Sequence, residues 1–245
     1  MRALYIDCKA GISADMLLKA LVDMGVDSLM KMEEADINDH EHEEDHDHNH
    51  DHGHDHNHKH EDKHDHDHCS LDHIEHSCRS YNDILEIIEN APISARAKES
   101  AKNIYRIIAE AEAEVHGETL DTVHFHEVGR MEAIMNILSI AAYIDGLEIK
   151  DVICSEIHDG HGSIQCSHGT VPVPVPAVSA MMKKSDLKFE ETDIETELVT
   201  PTGLGILLGL NARHGAPTGN IIAAGTGYGG RETGLGGLKA FLTEL

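Results

Sequence analysis

His124 and His126 stand two residues apart in the run VHFHEVG, with Glu127 directly after them. In an extended chain this spacing puts both imidazoles on one face and Phe125 on the other. The two rings can then hold one ion while Glu127 orients it or accepts a proton. The alternative is a pair of capping or core histidines ahead of a helix. A second group, in HDGHGSIQCSHG, offers His158, Asp159, His161, Cys166 and His168 among glycines that allow close backbone approach. Its histidines His158, His161 and His168 are candidate metal ligands. The third concentration of ligands is a tract. Between Glu33 and His76 the chain carries 15 histidines, 17 acids and two lysines. Its densest part supplies His46, His48, His50, His52, His54, His56, His58, His60, His64, His66 and His68 as further candidate ligands. Alternating imidazole and carboxylate on a polar backbone suits nickel, zinc or copper, and affinity alone does not choose between them. The competing reading is a solvated linker whose histidines are incidental. Gly-rich turns at GIS, TPTG and GTGYGG can each present backbone N–H groups to a phosphate. TPTG makes Thr200, Thr202 and Gly203 the candidate cofactor contacts, although none of the three turns matches a P-loop or dinucleotide fingerprint.

Rigid elements must bring these groups together. ALYI at 3–6 reads as a short buried strand leading into the turn around Gly11 and Ser13. The spacing of Met16, Leu17, Ala20, Leu21 and Met24 predicts a helix that Gly25 closes. From Glu33 the apolar pattern vanishes until Ile84, so nothing there offsets the entropy of ordering the backbone. Residues 33–79 are therefore expected to be a disordered, metal-binding insertion between residues 1–32 and 80–245 of one globular domain. Ser80 with Asp83 forms a capping-box pattern for YNDILEIIEN, and Ala91-Pro92 ends that helix. Ser94 opens a longer helix with Ala97, Ala101, Ile104, Ile108, Ala111 and Val115 on one face, closing at Gly117. Another helix is predicted over Glu132 to Tyr143, a strand from Asp151, and a helix near Thr202. The prolines of VPVPVP exclude a central strand, and the tail reads as a Gly-rich loop followed by a short apolar stretch. Alternating strands and helices favour an α/β or α+β domain over a bundle.

Composition narrows the function. Of the formal charge of −26, about −15 belongs to the tract, so the remainder is mildly acidic. No basic stripe is present, and with no Trp and three Phe there is no aromatic platform, which sets nucleic acid aside. No run approaches the length of a membrane span, and Asp7 interrupts any signal-peptide core, so no membrane partner and a cytoplasmic location are expected. Five cysteines without a CxxC pair suit a reducing compartment and support neither a disulfide framework nor a structural zinc knot.

Taken in order, LYIDCKAGISADM, the His-rich insertion, RSYNDI, AEAEVHG, VHFHEVG, CSHGTVPVPVPA and ELVTPTG resemble the LarC family of nickel insertion proteins, and they cover most of the chain outside the tract. The resemblance implies a nickel chelatase, a lyase, that places nickel in a pyridinium bisthiocarboxylate mononucleotide. The product is the nickel-pincer cofactor of lactate racemase and related apo-enzymes. It also implies use of CTP with magnesium or manganese, associated in the family with a separate C-terminal domain whose place lies beyond Leu245. Forming the nickel–carbon bond expels a ring proton, so a base is needed near the metal. On that chemistry His124, His126 and Glu127 are the candidates for nickel delivery and proton acceptance, Cys8 for holding nickel as thiolate, and Asp7 or Asp15 for a divalent ion. The chain departs from the family's usual DCFSGISGDM at Lys9, Ala10 and Ala14, and Glu132 and Asn136 stand where two aspartates are usual. Without the C-terminal domain, the competing expectation is a non-catalytic nickel or zinc storage protein or metallochaperone.

Overall fold

Strand β1, Arg2–Asp7, buries Ala3, Leu4 and Ile6 completely, as an apolar run on both faces of a central strand should. It lies in the middle of a five-stranded mixed sheet in a computed structural model that describes residues 1–26, 78–166 and 169–245. The tract histidines from His46 to His68, and His168, lie outside the described residues. On one side β1 pairs in parallel with β4, Ile149–Cys154, which in turn pairs in parallel with β9, Arg213–His214. On the other side it pairs antiparallel with β11, Leu238–Glu244, and β11 with the edge strand β10, Asn220–Gly227.

Six helices are found among the described residues, and their caps follow from local sequence. Helix α1, Ala14–Asp23, begins where Ser13 Oγ accepts from Met16 N, and the chain turns at Gly25 with φ 79°. Helix α2, Tyr81–Asn90, starts with the reciprocal capping box of Ser80 and Asp83. Helix α3, Ala95–His116, is capped by Ser94 and closed by a left-handed Gly117. Helix α4 spans Met131–Gly146, α5 Pro176–Met182 and α6 Pro201–Gly209, the last two with proline in the first turn. α3 is the spine. It packs on α2, α4, α5 and α6, and its Tyr105 is fully buried. None of the helices among the described residues is long and apolar enough to cross a membrane.

Three short strand pairs decorate this frame. β2, Arg79–Ser80, pairs antiparallel with β3, His124–Phe125. β5, Ile157–Asp159, pairs in parallel with β8, Phe189–Glu191, and β6, Ser163–Cys166, forms a hairpin with β7, Gly169–Pro172. Arg79 thus belongs to the fold and not to the expected insertion, whose other described residue is Cys78.

The C-terminal segment differs most from expectation. It forms the β10–β11 hairpin, and the short apolar stretch is strand β11 beside β1. The glycines explain why the pattern is hard to see. A Cβ at Gly225 or Gly227 would stand 2.0 Å from Ala20 O or 1.8 Å from Met16 O, so α1 rests directly on the backbone of β10. Close backbone contact replaces the large apolar side chains by which a strand is usually recognised.

Candidate functional site

VHFHEVG behaves locally as its alternation requires. Val123 and Phe125 are buried while His124 and His126 are exposed, so both imidazoles share a face. Three contacts hold the segment from behind. Phe125 meets the ring of Tyr105 with centroids 6.4 Å apart, the Tyr105 hydroxyl donates to Val128 O at 3.1 Å, and Arg79 donates to Gly129 O at 2.6 Å. His124 Nδ1 lies 2.7 Å from Thr122 O, which leaves Nε2 as the ring nitrogen available outward.

TPTG is placed by a different device. Thr200 Oγ1 accepts from Gly203 N to cap α6, and the Thr200 and Thr202 hydroxyls lie 3.1 Å apart. Gly203 has no Cβ because Ile12 O would be 2.3 Å from it. Gly11, at φ 81°, leaves room for Leu198 O in the same way. The Leu198–Thr200 segment is therefore sewn to the Gly11–Ser13 turn, with Ile12 N donating to Leu198 O and Thr200 N to Ile12 O. A buried carboxylate adds a clamp, since Asp159 Oδ1 accepts from Gly160, Leu198 and Val199 N–H groups.

The two motifs meet in a cavity of about 490 Å³ whose wall includes His116, His124, His126, Glu112, Glu127, Glu197, Cys166, Thr200 and Thr202. Sequence reasoning placed His124, His126, Glu127, Thr200 and Thr202 as site residues but passed over Glu112, His116 and Glu197. The missed signal was in AEAEVHG, where Glu112 and His116 are four apart and must share a helix face. Val115 beside them reads as the end of the core stripe. Val115 is instead 39% exposed and lines the cavity.

Two acids of the wall are perturbed by their burial. Glu112 is largely buried and its carboxyl is held above the usual range by burial, with His116 opposing and Glu127 adding to the shift. His116 Nε2 lies 3.7 Å from Glu112 Oε2. Burial also raises the Glu197 carboxyl, although Arg231 pairs with it at 3.0 Å and pulls the other way. Imidazole, carboxylate and thiol side chains thus line the same cavity.

Other predicted residues lie elsewhere. Cys8 does not line the cavity. It is fully buried, and burial, with Cys154 and Asp7 adding, pushes its thiol well above the normal value, the wrong direction for a thiolate ligand. Asp7 accepts from the Lys9 N–H and Asp15 pairs with Lys19 at 2.8 Å, both away from the cavity. Gly203 faces backbone rather than a ligand, and its N–H is used by the cap. His158 and His161 do not line the cavity either; His158 stands beside Glu156 and Glu190. At TPTG the Gly203 N–H is used by the cap and the Thr200 N–H by Ile12 O, and no nucleotide chemistry is assigned to these residues.

Fold and cavity together define a mixed α/β protein with a cavity walled by imidazoles and carboxylates. The sequence profile described as nickel insertion protein matches residues 4–243, and the chain belongs to that family. It is 39% identical over 236 residues to the pyridinium-3,5-bisthiocarboxylic acid mononucleotide nickel insertion protein of Acetivibrio thermocellus, covering 96% of this chain and 58% of that protein. The protein of the same description from Alkaliphilus metalliredigens is 37% identical over 243 residues, covering 95% and 56%. That of Akkermansia muciniphila is 35% identical over 234 residues, covering 95% and 57%. The chain thus spans somewhat more than half the length of these relatives. No solved structure matches it.

Proposed function

We propose that this chain is the nickel-loading part of an insertase that places nickel in a pyridinium bisthiocarboxylate mononucleotide, forming the nickel-pincer cofactor of lactate racemase and related enzymes. The observation that supports this reading is the convergence of His124, His126 and Glu127 with His116, Glu112 and Glu197 on one cavity. Nickel bound at this wall would draw in the two thiocarboxylates by its charge. As nickel forms its bond to the ring carbon, the electron pair of the breaking C–H bond passes to the metal and the proton leaves to a base. Glu112 suits this role, because burial already favours its protonated form. Glu127 is the second candidate. Tract histidines serve as a reservoir on the same chain. His76 is only three residues before Arg79, which pairs with Phe125 beside His124. CTP with magnesium or manganese belongs to a C-terminal domain of the kind the family resemblance implies, supplied together with this chain.

The test follows cofactor formation from the thiocarboxylated mononucleotide, with nickel, CTP, manganese and that domain present. Replacing His124 and His126 by Ala should abolish formation even at abundant nickel, whereas deleting residues 40–68 should matter only when nickel is scarce. Equal formation by the double variant and the parent would reduce these histidines to structural roles and favour the storage reading.

A further inference from the structure

We propose that Glu156, His158 and Glu190 form a second divalent-metal site, separate from the cavity and templated by the β5–β8 pair. Their ligand atoms all lie within 4.8 Å of one another, and His158 Nε2 is already 3.6 Å from Glu190 Oε2. A transition ion with bonds of about 2.0–2.2 Å holds neighbouring donors roughly 3–3.5 Å apart, so closing the set needs only a small rotation of the two glutamates.

Backbone pairing produces this juxtaposition. In the parallel register His158 stands beside Glu190, and Glu156, one residue before β5, brings its carboxylate to the same cluster. Both strands are anchored, since Ile157 N donates to Lys188 O at 2.8 Å, His158 N to Cys8 O at 3.2 Å and Thr192 N to Asp159 O at 2.8 Å. The His158 imidazole is partly covered, at 20% exposure, while Glu190 is 57% exposed, which gives an ion both a fixed ligand and an entry side. Electrostatics favour a cation. Residues 190–197 carry five acids and no base. Lys188 flanks this acidic run on its N-terminal side. One imidazole and two carboxylates with open positions suit a first-row divalent ion such as manganese, cobalt, nickel or zinc rather than a soft monovalent one. Occupancy would lock β5 to β8 and offset the acidic segment that ends at Glu197 in the cavity wall.

The assay is a cobalt(II) titration of the full chain with isotope-labelled isoleucine and phenylalanine, in a citrate buffer that sets free cobalt independently of the tract. Paramagnetic shifts at Ile157 and Phe189 report the proposed site, and those at Phe125 report the cavity. The expected result is that Glu190→Gln and His158→Gln each raise the free cobalt needed to move Ile157 and Phe189 by about tenfold or more, while Phe125 responds as in the parent. His161→Gln should change neither response. Glu190→Gln preserves side-chain shape, so it tests the site even if His158→Gln folds poorly. Unmoved Ile157 and Phe189 signals in the parent at millimolar free cobalt would overturn the proposal, as would identical titrations in Glu190→Gln and the parent. Replacing His124 and His126 should alter only the Phe125 response, which separates this site from the cavity reading.

Discussion

Gly203→Ala sets two known effects against each other. Alanine is favoured over glycine within a helix by about 0.5–1 kcal/mol, so propensity alone predicts stabilisation of α6. Packing predicts the reverse. The new Cβ would lie 2.3 Å from Ile12 O, 2.6 Å from Ile12 C and 2.9 Å from Ser13 Cα, all backbone or Cα atoms that no rotamer change can clear. Comfortable contact is near 3.5 Å, so the start of α6 and the Gly11–Ser13 turn must part by about 1 Å. Overpacking of this kind costs typically 1–3 kcal/mol, and the loss should win by about 1–2 kcal/mol. At roughly 2–4 °C per kcal/mol for a chain of this size, the melting temperature should fall by about 2–8 °C. The same displacement carries Thr200 and Thr202 in the cavity wall, and about 1 Å of misplacement can lower a positioned reaction on the order of a hundredfold. Urea and thermal unfolding, with nickel insertion assayed beside them, measure both effects. Gly230→Ala is the control, since nothing stands within 4 Å of its added Cβ. A Gly203→Ala chain as stable as the parent, or more so, would refute the close approach of α6 to the turn.

Glu112→Gln should reveal the strain of the buried carboxylate. Because folding raises the Glu112 carboxyl, the native state holds that proton more tightly, and stability is lost as pH rises from the unfolded carboxylate range near about 4.3 through the raised folded value. In chelated, metal-free buffer the variant's stability relative to the parent should therefore increase between pH 4 and 7, and a difference independent of pH would count against the assignment. Native alkylation should label exposed Cys78 promptly while leaving buried Cys8 and Cys154, the latter raised by burial to about 11, unreacted until unfolding. Peptide mass spectrometry decides this, and rapid labelling of Cys8 would return it to the list of candidate ligands.

Local signals carried much of the architecture. Ser80 with Asp83, Ser94 with Gly117, and the apolar steps of α1 define helix ends and faces through contacts a few residues apart, so the sequence alone determined them. The alternation in VHFHEVG likewise put His124 and His126 on one face. What required the tertiary structure was every partnership across long separations. Whether β11 lies beside β1 depends on Gly225 and Gly227 admitting α1 to the backbone of β10, a fit expressed by missing side chains. Whether Cys8 is a ligand or core depends on the strands around it, and burial decides for the core. Glu112 and His116 share a helix face by their spacing, but only the packing of α3 against the VHFHEVG segment and α6 turns that face into a cavity wall. His158 was grouped with His161 by proximity in sequence; strand pairing instead gave it Glu190, 32 positions away, because a parallel register places residues side by side without regard to their distance along the chain.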